Sequence, residues 1–432
     1  MKPKIGIRRE DKSEWEKRAP LVPKDVEYLL NTHSIGTIIQ PSPIRIFPEE
    51  EYKKVGAKVK EKLDVPIILG IKEIPVDFFE KDKIYLFFSH TIKGQEYNMP
   101  MLKKMIEKGD TLIDYECITD ENGTRLIAFS KFAGIAGMIE SLWAAGRRLQ
   151  WEGYSTPLNK IKRVIEIPTI KDLEKQTIKV GKEIKSEGFP EELTPFVVGI
   201  AGYGKVSKGA QEVLDLFPTR EIEPEDLFII KDNPHTIYKV VFKEKDIAQR
   251  KDGGKFSLKE FYNNPELYKG VFQRYLPYIV VLVNAICWEE KYPRLITKEW
   301  LKKEYNPNSD KIRIIGDISC DIEGSIECTV ESTEPGNPVY VYDPVKEGIK
   351  FGVEGDYPAI MAVDILPSEV PTESSIYFSN ILKTFVPEIV KASYPDDFEK
   401  CSLPEYIKKA VILYKGKLTW RYQYLKQFLK ED

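Results

Sequence analysis

A chain of 432 residues is longer than one hydrophobic core usually serves, so two domains are expected. Its 65 basic and 68 acidic side chains leave a formal net charge of -3, which offers no bias toward nucleic acid or a membrane surface. Five scattered cysteines without a Cys-x-x-Cys pair argue against a disulfide framework and a zinc site, so reduced thiols and no metal are expected.

Ile5 to Arg8 reads as a short strand, and Pro23-Lys24-Asp25 opens a helix with Val26, Leu29 and Leu30 on one face. Further strands are predicted over Gly36 to Gln40, Val65 to Gly70, Lys83 to Phe88 and Leu112 to Tyr115. These runs are continuously apolar, the pattern of parallel strands covered on both faces. Phe132 to Trp151 reads as a long buried helix, and the lysine-rich stretch to about Glu192 as solvated helix and loop. A second α/β unit is predicted from Thr194, with later strands near Tyr278 to Ala285 and Ile312 to Ile318. The segment from about Pro338 carries strands and a helix over Ser374 to Ala392, too short for a third core. Both chain ends are expected to share a domain.

FFSHTIKGQ places His90 and Lys93 directly after an apolar strand, and the neighbouring strand runs on as Gly70-Ile71-Lys72-Glu73. Parallel neighbours bring their carboxyl ends together, so Lys72, His90 and Lys93 are expected on one edge of a cleft. Taken singly, such a histidine is more often a structural hydrogen-bonder and such a lysine simply solvated. Arg18 in WEKRAPLVP and Glu116 in IDYECI fall at equivalent strand ends and strengthen the case. Several cations suit a substrate rich in carboxylates, a lysine crowded by cations sheds its proton more readily, and histidine titrates near neutrality.

FVVGIAGYGKVSKGA is an apolar strand, a Gly202-Tyr203-Gly204 turn and a helix beginning near Lys205. Gly202 permits the tight turn and Gly204 a close approach to a pyrophosphate. The first helical N–H groups, Lys205 and Val206, are directed at the phosphates, and Ser207 takes the place of the third glycine. Dinucleotide binding is the expectation. Some twenty residues on, Arg220-Glu221-Ile222-Glu223 closes the next strand. Glu223 would suit the ribose hydroxyls of NAD, whereas Arg220 or Lys231 would suit the 2′-phosphate of NADP, so both coenzymes stay open.

The segments IGIRREDKSEWEKRAPLVP, LGIKEIP, YLFFSHTIKGQEYNM, LIDYECITDENGTRLIAFSKFAGIAGMI, GYGKVSKGAQE, NAICWEEKYPRLIT, GDISCDIEGSIE and DILPSEVPTESS resemble the lysine–ketoglutarate reductase family, the saccharopine-forming half of the aminoadipic semialdehyde synthases. More distantly they resemble fungal saccharopine dehydrogenase and alanine dehydrogenase. The resemblance implies an α/β fold of alanine dehydrogenase type: two Rossmann-like domains with parallel sheets flanking a cleft. Residues 1–138 and 338–432 would form the substrate-binding domain and 139–337 the dinucleotide-binding one. It implies formation of saccharopine from L-lysine, 2-oxoglutarate and NADPH, with Lys72 and His90 as the acid–base pair. Arg18, Lys93, Glu116 and Arg125 would hold substrate groups, Gly202, Gly204 and Ser207 the pyrophosphate, and Asp317 would sit by the nicotinamide ribose.

The rival readings are an NAD-dependent, lysine-forming saccharopine dehydrogenase and a non-catalytic dinucleotide-binding regulator of the same fold. The bifunctional members of the family it resembles carry a second dehydrogenase module after this one, whereas the sequence here runs to Asp432, so saccharopine is expected to be released or passed to a separate glutamate-forming saccharopine dehydrogenase. A homo-oligomer is left open. No run approaches the ~20 apolar residues of a spanning helix and the first strand begins almost at once. A cytoplasmic location is expected, with the mitochondrial matrix as the alternative for a trimmed N-terminus.

Overall fold

The structure is a computed structural model in which residues 3–429 are described. The chain divides into two compact units, Met1–Phe129 with Pro371–Asp432, and Ser130–Val370. Strands β1 (Lys4–Ile7), β2 (Gly36–Ile39), β3 (Lys58–Val59), β4 (Ile67–Leu69), β5 (Ile84–Phe87) and β6 (Thr111–Asp114) open the first unit. The second unit holds β7 (Phe196–Ala201), β8 (Thr219–Ile222), β9 (Ile237–Phe242), β10 (Ala248–Arg250), β11 (Tyr268–Gly270), β12 (Val281–Asn284), β13 (Ile314–Asp317), β14 (Val339–Asp343), β15 (Gly348–Phe351) and β16 (Ala359–Met361). β17 (Val411–Tyr414) and β18 (Lys417–Leu418) return to the first.

The first sheet has the order β18-β17-β6-β5-β4-β1-β2-β3 and the second β15-β14-β16-β13-β12-β7-β9-β8, with β10 and β11 forming a separate pair. Pairing is parallel from β6 to β3 and from β16 to β8. Antiparallel strands close one edge of each sheet, β17 and β18 in the first and β14 and β15 in the second. The α/β class with two Rossmann-like units is therefore as expected. β4, β6 and β7 are buried along their whole length, so both of their faces are covered and the runs do not alternate.

The units exchange the chain at Phe129/Ser130 and Val370/Pro371, where the sequence had suggested 138/139 and 337/338. β16 pairs with β13 and β14 with β16, so residues 339–361 complete the second sheet instead of returning to the first. The return is made by the helix Pro371–Lys391. Ala19 N donates to Ser375 Oγ (3.0 Å), Val22 N to Ser379 Oγ (2.9 Å), and Asp25 accepts from Ser379 Oγ (2.6 Å) and Lys383 Nζ (2.8 Å). These bonds fix the loop that carries Arg18.

In the second unit the helices Ser130–Trp151 and Lys205–Leu214 cross at backbone contact. A Cβ on Gly209 would lie 2.1 Å from Lys131 O, and one on Gly134 would lie 1.9 Å from Val206 O. Backbone cannot swing aside as a side chain can, so Gly209→Ala is expected to push the helices apart and destabilise the unit by about 1–3 kcal/mol. Calorimetric melting of the variant at the wild-type temperature would contradict that crossing.

Candidate active site

Parallel pairing sets the exits of β1, β4, β5 and β6 side by side at one end of the first sheet. Two exits stay bonded beyond their strands, because Phe88 N donates to Ile71 O at 2.9 Å. Buried Glu10, after β1, accepts from Ile71 N (2.8 Å) and Lys72 N (3.0 Å), which fixes the backbone that bears Lys72. Burial raises the Glu10 pKa, with the nearby Arg8 charge acting in the opposite direction.

Glu73 serves the imidazole. His90 Nδ1 lies 2.7 Å from Glu73 Oε1, and Lys12 Nζ lies 2.8 Å from each oxygen of the same carboxylate. Burial alone would raise the Glu73 pKa, but the His90 hydrogen bond and the charges of His90 and Lys12 outweigh it. They hold the carboxyl well below the usual carboxylate range. A carboxylate on Nδ1 selects the tautomer with Nδ1–H and leaves Nε2 to take or give a proton.

His90 adopts φ 47°, a left-handed backbone that costs a non-glycine residue roughly 1–2 kcal/mol. Asn98 Nδ2 steadies it by donating to the His90 carbonyl at 3.1 Å. The ring lies nearly parallel to Phe88, centroids 6.3 Å apart, and Phe88 packs on Tyr115, Phe129 and Phe378. Asp114, the last residue of β6, organises the approach. Its Oδ2 accepts from Ser89 N (2.9 Å) and Ser89 Oγ, and its Oδ1 from Glu116 N (2.7 Å). Burial pushes the Asp114 carboxyl up to about 6 in spite of these bonds.

Of the remaining expected substrate residues, Arg18 is buried, its Nε donating to Glu16 Oε1 at 2.7 Å and its guanidinium 4.2 Å from the Phe129 ring centre. Arg125 Nη2 pairs with Glu116 Oε1, and Lys93 is exposed. Lys72 and His90 are thus brought onto adjoining exits with Glu73 beside both, and Glu116 meets Arg125. Glu10, Glu16, Glu73 and Asp114 escaped the sequence reading. Their signal was an acid at the end of an apolar strand or within two residues of a predicted functional cation.

In the second unit, Gly202 has φ 98° and its N–H donates to Phe242 O at 3.0 Å. A Cβ there would lie 2.9 Å from Ala285 O, whereas one on Gly204 would meet nothing within 4 Å. Packing thus demands the first glycine, and the second leaves open space before the helix Lys205–Leu214. Gly204 caps that helix without a side-chain bond, so the N–H groups of Lys205 and Val206 have no intrahelical acceptor. This is the arrangement that receives a pyrophosphate. Ser207 is buried and accepts from Gln211 Nε2 at 3.0 Å, which makes it a packing residue.

Two expected coenzyme contacts are placed differently. The strand beside β7 is β9, and β8 is a short edge strand beyond it, so Arg220 and Glu223 lie one strand farther out. Two residues past β9, Glu244 shares a cavity with Gly202, Tyr203 and Tyr262. Asp317 is fully buried: Oδ1 accepts from Asn284 Nδ2 (2.8 Å), Ser319 Oγ (2.7 Å) and Cys320 N (3.2 Å), and Oδ2 from Thr329 Oγ1 (2.6 Å). That is the geometry of a strand-end cap. Among the described residues there is no cluster of three or more His, Cys, Asp or Glu that could hold a metal ion, and no helix long and apolar enough to cross a membrane.

The two mainly parallel units define an α/β protein of alanine dehydrogenase type. An L-alanine dehydrogenase structure superposes with a TM-score of 0.64 over 99% of this chain and 100% of that one, at 16% identity, and residues 6–136 match the family described as alanine dehydrogenase/PNT, N-terminal domain. The chain is 34% identical to the alpha-aminoadipic semialdehyde synthase of Arabidopsis thaliana over 99% of its own length and 42% of that protein. It is 26% identical to the saccharopine dehydrogenase (NAD(+), L-lysine-forming) of Emericella nidulans over 88% of its length and 90% of that protein. It spans about half the length of the semialdehyde synthases it matches. Residues 6–136 thus resemble an alanine dehydrogenase/PNT N-terminal domain, and the similarity to the semialdehyde synthase and the saccharopine dehydrogenase runs over 99% and 88% of this chain, as its motifs had indicated.

Proposed function

We propose that the chain is an oxidoreductase that joins the ε-amine of L-lysine to the keto carbon of 2-oxoglutarate and reduces the resulting imine to saccharopine. The names of its relatives support the substrate class. The observation that carries the chemistry is the pairing of His90 Nδ1 with Glu73 at 2.7 Å beside a Lys72 whose backbone is fixed by Glu10. A reduced nicotinamide dinucleotide, when bound, supplies the hydride, and the residues about Gly204 fit its pyrophosphate.

Attack by the amine, loss of water and reduction each need a proton taken or given at a fixed position. His90 Nε2 and the Lys72 amine are the groups that meet this need. Arg18 and Arg125 bind substrate carboxylates with geometry set by their glutamate partners, which holds the amine in line with the keto carbon. Glu16, paired with Arg18, keeps that charge tolerable in a buried place.

Absorbance of reduced coenzyme should fall only when lysine and 2-oxoglutarate are both present. Consumption with pyruvate and ammonia would instead indicate an alanine dehydrogenase reaction, and binding without consumption a regulator. The coenzyme site has its own reporter, because exposed Cys287 lines the cavity of Gly202 and Glu244. Alkylation of Cys287 by iodoacetamide, followed by peptide mass spectrometry, should slow when dinucleotide is added. An unchanged rate would place the dinucleotide elsewhere.

A further inference from the structure

We propose that Glu244 makes this chain select NADH over NADPH, an inference that rests on reading the Gly202–Gly204 turn as a dinucleotide site. The NADPH implied by motif resemblance is thereby replaced. β9 lies in parallel register beside β7, with Ala201 opposite Phe242, and Gly202 N donates to Phe242 O at 3.0 Å. Glu244 therefore stands at the end of the strand next to the glycine turn. That is where a carboxylate accepts from the adenosine ribose hydroxyls in a dinucleotide-binding sheet.

Two phenols hold the carboxylate in place. Tyr203, within the turn, puts its hydroxyl 3.2 and 3.3 Å from the Glu244 oxygens, and Tyr262, on the short helix Leu258–Asn263, donates to Oε1 at 2.5 Å. Burial first, and then Glu244 through its charge and its hydrogen bond, raise the pKa of both phenols, so both remain donors. Because these partners are neutral, they leave the negative charge on Glu244 in place. A 2′-phosphate brought beside it would meet like charge, whereas a 2′-hydroxyl would find an acceptor.

The cations that could offset this are badly placed. Arg220 is exposed on the edge strand β8. Lys239 on β9 is spent on Asp215 (2.8 Å) and Glu221 (2.9 Å). Lys243 lines the cavity, but it is exposed to solvent, which weakens its charge there.

Calorimetric titration of the full chain with NADH and with NADPH, without substrates, tests the proposal. The wild type should bind NADH at least about tenfold more tightly, and Glu244→Gln should narrow or reverse the ratio by strengthening NADPH binding, with Lys243 then unopposed. Lys243→Ala should leave the wild-type preference intact, which keeps the test decisive should the Glu244 variant fold poorly. Equal or tighter NADPH binding by the wild type, or a ratio unmoved in folded Glu244→Gln, would overturn the proposal while leaving the dinucleotide site standing. Binding of neither coenzyme would remove that site and the proposal with it.

Discussion

Replacing His90 with alanine should lower turnover on lysine and 2-oxoglutarate by about 10²–10⁴-fold while leaving dinucleotide affinity unchanged. The imidazole is held in place by three contacts: Glu73 on Nδ1, Asn98 on the carbonyl and Phe88 beside the ring. A histidine that merely capped a strand would need no carboxylate shielded from water and held ionised by its partners. Because residue 90 is left-handed, His90→Asn is the sharper variant: asparagine tolerates that backbone but offers no titrating nitrogen. Lys72→Met should produce a loss of similar size. Stopped-flow turnover with parallel coenzyme titration checks all three, and wild-type turnover in either folded His90 variant would reject the role.

The next largest effect is expected at Asp114. Asp114→Ala strips an acceptor from Ser89 N, Ser89 Oγ and Glu116 N; Ser89 Oγ keeps Thr91 Oγ1 at 2.8 Å, but Ser89 N is left unpaired in a buried place, at a cost of about 1–3 kcal/mol. The loops bearing His90 and Glu116 would loosen together, so stability and turnover should fall in one step. A pH signature separates the carboxyl from its shape. Asp114 holds its proton up to about 6 when folded, against about 3.9 when unfolded. Between those values the folded chain binds more protons, so the Asp114 contribution to stability is greatest in acid, declines as pH rises from about 4 to 6 and is level above. Urea unfolding at a series of pH values should therefore show wild type losing stability relative to Asp114→Asn across that window. A difference independent of pH would mean that Asp114 titrates alike in both states.

Much of this arrangement could be read from residue order. The strands anticipated over 36–40, 65–70, 83–88 and 112–115 are β2, β4, β5 and β6 with ends moved by one or two residues, because burial on both faces leaves a largely apolar run. Gly202 was recognisable because a strand, a turn and a helix follow one another, and the turn cannot be made otherwise. Strand order was a different matter. Arg220 to Glu223 stands where the second strand of a dinucleotide fold usually falls in sequence, but β8 is polar and short and takes the edge, while the apolar run IYKVVF of β9 takes the place beside β7. Sequence distance places the ribose carboxylate only when consecutive strands are neighbours, and here they are not.

Partner choice was equally hidden. Arg18 was expected to hold a substrate group, and buried Glu16 engages it as well, because a guanidinium taken from water requires compensation wherever it serves. Asp317 at the end of β13 was expected beside a ribose. Four donors from Asn284, Ser319, Cys320 and Thr329 converge on it, and only folding brings Thr329 there. The later exchange of the chain falls at Val370/Pro371 and not at 337/338 for a related reason: the edge strands β14 and β15 are antiparallel additions, which no α/β alternation announces.

The most direct test uses two labels in one reaction: L-lysine carrying heavy nitrogen at its ε-position, and reduced coenzyme carrying deuterium at the ring carbon that donates hydride. With unlabelled 2-oxoglutarate, mass spectrometry of the product should find saccharopine bearing both the heavy nitrogen and one deuteron. Saccharopine without deuterium, or deuterium appearing only in 2-hydroxyglutarate, would contradict the joining and reduction assigned to this chain.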